Sequence, residues 1–235
     1  MTTAETSKTT ALQGSLRPET VKHYVETISY IQFEEDRVRP GRIAEWLGVR
    51  PPTVSVTLQR LERDGWISVG ADRTVSLTEE GTRLANTAVR IHRLLERWLT
   101  DVLGFDWAAA DTFAQEISPG VSDEVADRLD EHLGQPVTCP HGNVIPGRTA
   151  PYGRLIALAD LPRGDRARVR RISEVAEHDA PDLLELLDRN GLVTGAAVAI
   201  ADDDSSDDAV TVEMGGRAMA LGTATARLIW VERAP

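Results

Sequence analysis

The stretch Arg42–Ser68, RIAEWLGVRPPTVSVTLQRLERDGWIS, narrows the possible folds more than any other part of the chain. Arg42–Leu47 is short and amphipathic and stops at Gly48. Pro51 and Pro52 then open a helix over 51–63, where a first-turn proline loses no intrahelical hydrogen bond. Val54, Leu58 and Leu61 share one face of that helix. Gly65–Val69 and Thr74–Leu77, separated by the polar turn Gly70-Ala-Asp-Arg73, read as a hairpin. Upstream, Val21, Tyr24, Val25, Ile28 and Ile31 mark a further helix over 19–35, and Arg39-Pro40-Gly41 breaks the chain after it. Helix, helix, turn, helix and hairpin in this order predict a winged helix-turn-helix over 19–78. A small α+β domain without a nucleic-acid role is the competing reading.

Thr78 is placed to cap a long helix that runs to about Leu103, with Leu84, Ala88, Ile91, Leu95 and Trp98 along one side. Shorter helices follow near 106–118 and 122–133, the second capped by Ser122. Long-short-short helices of this kind commonly build a dimer interface, so 79–135 is expected to be a helical dimerisation domain. Residues 136–152 are rich in Gly and Pro and read as a linker. Beyond them come short β-like runs at 155–158, 167–172, 196–200, 209–214, 218–221 and 227–231, with a helix at about 181–189. Residues 153–235 are therefore expected to form a small SH3-like β-barrel. The fold class overall is α+β.

A net charge of −11 argues at first against nucleic acid, but a binding face depends on local charge. Between Arg37 and Arg73, however, Arg37, Arg39, Arg42, Arg50, Arg60, Arg63 and Arg73 outnumber Glu45, Glu62, Asp64 and Asp72. The acidic excess lies in 101–131 and in the run at 202–208, which reads as a solvated hairpin tip. No apolar run approaches the roughly 20 residues that span a bilayer, so no membrane partner is expected. The first ten residues lack a secretory pattern and read as a disordered tail. A single cysteine, Cys139, leaves no internal disulfide and suits the cytoplasm.

The Arg42–Ser68 run resembles the DNA-binding domain of the diphtheria-toxin-repressor family of iron- and manganese-dependent regulators. The likeness continues through Leu77-TEEG-Thr82, Ile91-HRLLERWL-Thr100, Val121-SDEVADRL-Leu129 and Cys139-PHGNVIPG-Arg148, and the C-terminal segment is similar to the family's FeoA-type domain. The resemblance implies a metal-dependent repressor controlling metal-ion homeostasis. It would act as a homodimer on double-stranded DNA carrying an inverted repeat, with Mn²⁺ or Fe²⁺ as cofactor. Arg50, Pro52, Thr53, Ser55, Thr57 and Arg60 would face the major groove or its phosphates, and Arg73 on the wing a phosphate or the minor groove.

Family members hold two metal ions. For one site the fifth-helix ligand positions fall on Gln115, Ser118 and Pro119, which are poor ligands. A rebuilt site could draw on His23 and Glu26, at i,i+3 on the first helix, with Glu116 beside the vacated positions; a solvated helix face is the alternative. For the other site, His92 and Glu96 stand at i,i+4. Asp111 falls where the family has a histidine ligand, and Asp179 and Asp182 where the C-terminal domain supplies oxygen ligands. This oxygen-rich set suits Mn²⁺ or Fe²⁺. Asp179-Ala-Pro-Asp182 is also a good helix-capping sequence. Cys139-Pro-His141 offers one thiol and one imidazole, an incomplete zinc set.

The lost positions on the fifth helix keep a second expectation open, a regulator of the same fold that is metal-independent or senses another ligand. A peptide-binding adaptor is disfavoured because Trp230 is the one aromatic residue after Tyr152. No phosphate-binding loop, nucleophile elbow, zinc-protease helix or dinucleotide fingerprint is present, so an enzyme is not expected.

Overall fold

The computed structural model describes residues 16–34, 37–179, 181–201 and 208–234, except for the side chains at 177, 179 and 181. The N-terminal tail and all but the last residue of the acidic run at 202–208 lie outside that description. Two compact units make up the chain, residues 1–89 and 90–235.

In the first unit, α1 (Pro18–Glu34) buries Val21, Tyr24, Val25, Ile28 and Ile31. Helix α2 (Pro40–Trp46) and helix α3 (Pro51–Arg63) each begin with proline in the first turn. The turn between them passes through Gly48, whose φ of 60° lies in the left-handed region that glycine enters without steric cost. Strands β1 (Ile67–Val69) and β2 (Val75–Leu77) pair antiparallel, with Ile67 opposite Leu77 and Val69 opposite Val75. Asp72 shapes the turn between them: its carboxylate accepts hydrogen bonds from the Thr74 N–H (3.1 Å) and hydroxyl (2.8 Å).

Helix α4 (Glu79–Asp101) starts where the Thr78 hydroxyl accepts the Gly81 N–H at 3.1 Å. Glu79 and Glu80 add negative charge at the positive end of its dipole. Its residues from Arg90 onward belong to the second unit. There, α5 (Trp107–Ile117) is capped by Asp106, and α6 (Asp123–His132) by Ser122. Ile91, Leu94, Leu95 and Leu99 of α4 pack with Ala110, Ala114, Ala126 and Ile145.

Ile145 belongs to the segment expected to be a linker, and the structure corrects that expectation. Cys139, His141, Asn143 and Ile145 are at most 1% exposed. Thr138 and Val144 form an antiparallel bridge, and the Ile145 N–H donates to the Val137 carbonyl. The Gly and Pro residues there shape a packed turn rather than a spacer.

The C-terminal part forms an antiparallel sheet from β3 (Ile156–Ala157), β4 (Arg166–Ile172), β5 (Ala197–Ile200), β6 (Ala209–Met214), β7 (Arg217–Gly222) and β8 (Ile229–Arg233). The strand order is β3-β8-β4-β5-β6-β7. Between β4 and β5 lie α7 (Glu174–Asp179), which periodicity did not suggest, and α8 (Pro181–Asn190). A last short helix, α9 (Thr223–Ala226), precedes β8. Val169, Ile172, Leu184, Leu187, Ile229 and Val231 centre this core, and Trp107 of α5 joins it, so the helical and sheet parts share one interior.

Candidate metal centre and nucleic-acid interface

His92 and Glu96 stand one turn apart on α4 and are both buried, Glu96 to 1% exposure. The His92 Nε2 lies 3.9 Å from Glu96 Oε1 and 3.3 Å from Oδ1 of Asp111, which is half-buried on α5. The i,i+4 spacing puts both α4 side chains on one face, and α5 brings the third.

Glu96 meets a second pair of donors. His141 Nδ1 lies 2.9 Å from its Oε1, and Cys139 Sγ is 3.9 Å from that same nitrogen. The Trp107 ring meets His141 edge-on, with centroids 4.9 Å apart. Thus His92, Glu96 and Asp111 form one group, and Glu96, Cys139 and His141 another; within each, the donor atoms all lie within 4.8 Å of one another.

The turn that carries Cys139 and His141 is fixed by its backbone. Cys139 N–H donates to the Asn143 carbonyl, and Ile172 N–H to the His141 carbonyl. The Asn143 side chain donates to the Ile172 carbonyl at 3.1 Å and accepts from Arg171 at 3.2 Å. Gly142, at φ 88°, lies so close to β4 that a Cβ would strike the Arg170 carbonyl. Glycine is required there on both grounds.

Burial pushes the Glu96 carboxyl up, but the positive charges of His141, His92 and Arg93 outweigh it and hold the carboxyl below the ordinary range. Its Oε2 is enclosed and receives no hydrogen bond among the described residues. A buried carboxylate oxygen in that state is costly unless a cation satisfies it. The His92 imidazole and the Glu96 and Asp111 carboxylates, with donor atoms within 4.8 Å of one another, are a set that fits a divalent transition metal.

The remaining expected ligands are placed differently. Asp182 is exposed in the first turn of α8, and the Asp179 side chain lies outside the described residues. Among the described residues Asp182 joins no donor cluster. His23 is exposed, whereas Glu26 is buried and accepts the Tyr30 hydroxyl at 3.2 Å. The i,i+3 pair is therefore split, because Tyr30, a turn further on, draws Glu26 inward. Glu116 is exposed on α5 and joins neither cluster. Cys139 and His141, set aside as an incomplete pair, are the residues the spacing did not connect to Glu96. Their i,i+2 spacing was the available signal.

On α3, Arg50 at the N-cap and Pro52, Thr53, Ser55 and Arg60 are exposed. Thr57 departs from expectation: it is buried with Leu58 and Leu61, and its hydroxyl donates to the Thr53 carbonyl at 3.0 Å. Its place beside Val54, three residues earlier, turns it to the core. Val56, half exposed, lies on the open face instead. Arg73 is exposed at the turn between β1 and β2 with φ 63°. Arg50, Arg60 and Arg73 are exposed cations of this unit, and Arg63, also exposed, pairs with Asp64 at 2.8 Å.

The chain matches three family descriptions in succession. Residues 18–75 match "Iron dependent repressor, N-terminal DNA binding domain". Residues 78–147 match "Iron dependent repressor, metal binding and dimerisation domain", and 156–233 the FeoA domain. It is 38% identical over 195 residues to the iron-dependent repressor IdeR of Mycobacterium tuberculosis H37Rv, covering 77% of this chain and 84% of that one. It is 34% identical over 227 residues to the diphtheria toxin repressor of Corynebacterium diphtheriae, covering 91% and 97%. A solved manganese-dependent transcriptional repressor in complex with manganese superposes with a TM-score of 0.81 at 30% identity, covering 91% of this chain and all of that one. A DNA-binding domain, a metal-binding and dimerisation domain and a FeoA domain, in that order, make this chain a member of the iron-dependent repressor family of transcription regulators.

Proposed function

We propose that the protein is a transcription repressor whose affinity for its operator is raised by Mn²⁺ or Fe²⁺ held by His92, Glu96 and Asp111. The observation that carries this reading is the enclosed Glu96 Oε2, without a hydrogen-bond donor among the described residues and beside two further donor groups. A bound divalent ion would supply the partner that this oxygen lacks. His92 and Glu96 on α4 and Asp111 on α5 would hold it, joining the two helices. Asp182, exposed near the start of α8, is the further carboxylate that the family likeness assigns to the same ion, together with Asp179. Relatives named as iron- and manganese-dependent repressors support the choice of metals.

Val102, Leu103, Phe105, Phe113 and Ile117 are exposed apolar residues concentrated at the end of α4 and along α5. They suit a two-fold dimer contact. A symmetric dimer presents two α3 helices, and its operator is an inverted repeat with half-sites one or more helical turns apart. A regulator of this kind acts in the cytoplasm.

Fluorescence anisotropy with the DNA upstream of the protein's own gene, at fixed ionic strength, tests the reading. Added Mn²⁺ or Fe²⁺ should tighten binding by about tenfold or more over chelator, within the usual range of coupling between sites. His92→Ala with Glu96→Ala should abolish the gain. Tight binding that ignores both metal and substitution would instead favour a metal-independent member of the family, the alternative suggested by Gln115, Ser118 and Pro119 in place of ligands.

A further inference from the structure

The geometry points to a binding site for a small polyanion, a molecule carrying two or more phosphate or carboxylate groups, on the outer face of the C-terminal sheet. Strand β4 alternates: Ala167 and Val169 are buried in the core, while Arg166 and Arg168 are exposed and Arg170 half-buried on the other face. Outward side chains two residues apart along a strand stand about 6.7 Å apart, so these three arginines form one cationic row. The neighbouring strand β5 does not cover that row. Its outward residues are Ala199, paired with Arg166, and Ala197, paired with Arg168. On the far side of β5, the β6–β7 hairpin turns through Gly215 and Gly216, at φ 55° and 80°. Both signs are what a tight two-residue hairpin turn requires. That turn sets Met214 and Arg217 beside the alanine floor. Together these elements enclose a cleft of about 650 Å³, within the usual size of small-molecule sites.

Arg233 of β8 completes a lining of five arginines against two glutamates, Glu213 and Glu232, in a chain of net charge −11. Three of the arginines have partners. Arg170 Nε donates to Glu232 at 2.8 Å, Arg168 to the Gly195 carbonyl, and Arg233 to Asp165. Glu232 also accepts the Gly153 N–H at 2.8 Å, which occupies its other oxygen. Arg166 and Arg217 differ: neither makes a hydrogen bond or ion pair among the described residues. Two uncommitted guanidinium groups flanking an alanine floor suit a ligand with two separated anionic groups, because each planar fork presents paired N–H donors to a phosphate or carboxylate. A recess of this volume admits a small molecule, whereas a DNA duplex would meet only its rim.

Isothermal titration of the intact, metal-free protein with inorganic triphosphate and, separately, with citrate tests the assignment and distinguishes the two sources of anionic groups. Saturable one-site binding of at least one of them is expected, weakening as ionic strength rises. Arg166→Gln with Arg217→Gln should raise the dissociation constant at least about tenfold, the loss that follows from removing hydrogen bonds between charged groups. Urea unfolding should not change, since neither side chain has a partner to lose. Ala199→Glu, which puts a carboxylate on the cleft floor, should weaken binding as much. In the wild type, amide resonances at 197–199 and 215–218 should shift most on adding the anion. No saturable binding of either anion overturns the proposal, as does binding that ignores all three substitutions. Loss of operator affinity in the arginine variant without saturable anion binding also overturns it, and makes the row a DNA-backbone contact. The cleft shares no residue with the metal donors, so its test and that of operator control by metal fail separately.

Discussion

Thr57 and Arg60 show how one turn of helix separates a core position from an exposed one. Thr57 is buried with its hydroxyl on the Thr53 carbonyl, whereas Arg60 is exposed. Arg60→Ala should weaken operator binding by roughly 1–3 kcal/mol if it reads a base; if it contacts a phosphate, it should lower the salt dependence by about one ion. Thr57→Val should leave DNA affinity unchanged and shift stability by no more than about 1 kcal/mol. Anisotropy and urea unfolding on the two variants separate these outcomes. Hydrogen bonds from Thr74 hold the Asp72 carboxyl below its ordinary range. A group depressed in the folded state adds stability above its unfolded pKa, about 3.9 for Asp. That contribution is lost as pH falls through the lower folded value. The Thr74 amide resonance should accordingly titrate with a midpoint below about 3.9.

At the scale of elements, the segment 136–152 is the clearest departure from expectation. Gly and Pro density reads as a spacer because those residues interrupt periodicity, and periodicity is what a sequence displays. Its hydrogen bonds, however, run to Ile172, Arg171 and Thr194, far along the chain, and no local pattern announces them. If the segment is packed, Ile145→Ala should cost roughly 2–5 kcal/mol of stability by urea unfolding. A true linker residue would cost within about 0.5 kcal/mol. Gly142→Ala should be at least as damaging, since it adds a backbone clash to a left-handed φ.

For the whole molecule, the apolar residues Phe105 and Phe113 stack edge-on at 5.1 Å while both remain more than a third exposed. Phe113→Asp should convert the dimer to monomer in sedimentation velocity and abolish operator binding, with the helical content unchanged. Saturating metal should raise unfolding stability by about 2.7 kcal/mol at a hundredfold excess over its dissociation constant. The size of that gain in His92→Gln and in Cys139→Ser apportions it between the two donor sets.

The winged helix, the long helix with its Thr78 cap, and the strand segments were legible in the sequence, because each is written in local periodicity, proline placement and capping residues. The spacing of His92 and Glu96 on one helical face was legible for the same reason. What local pattern could not decide is which distant groups meet that face. The family resemblance pointed to Asp111, which reaches it from α5, but nothing in the sequence joined Cys139 and His141, on a turn held by β4, to Glu96. Glu26 and Thr57 turn inward because of neighbours that spacing alone does not rank. Local pattern fixes which face a side chain shares, but only tertiary packing fixes what lies opposite that face, and a metal centre is assembled from what lies opposite.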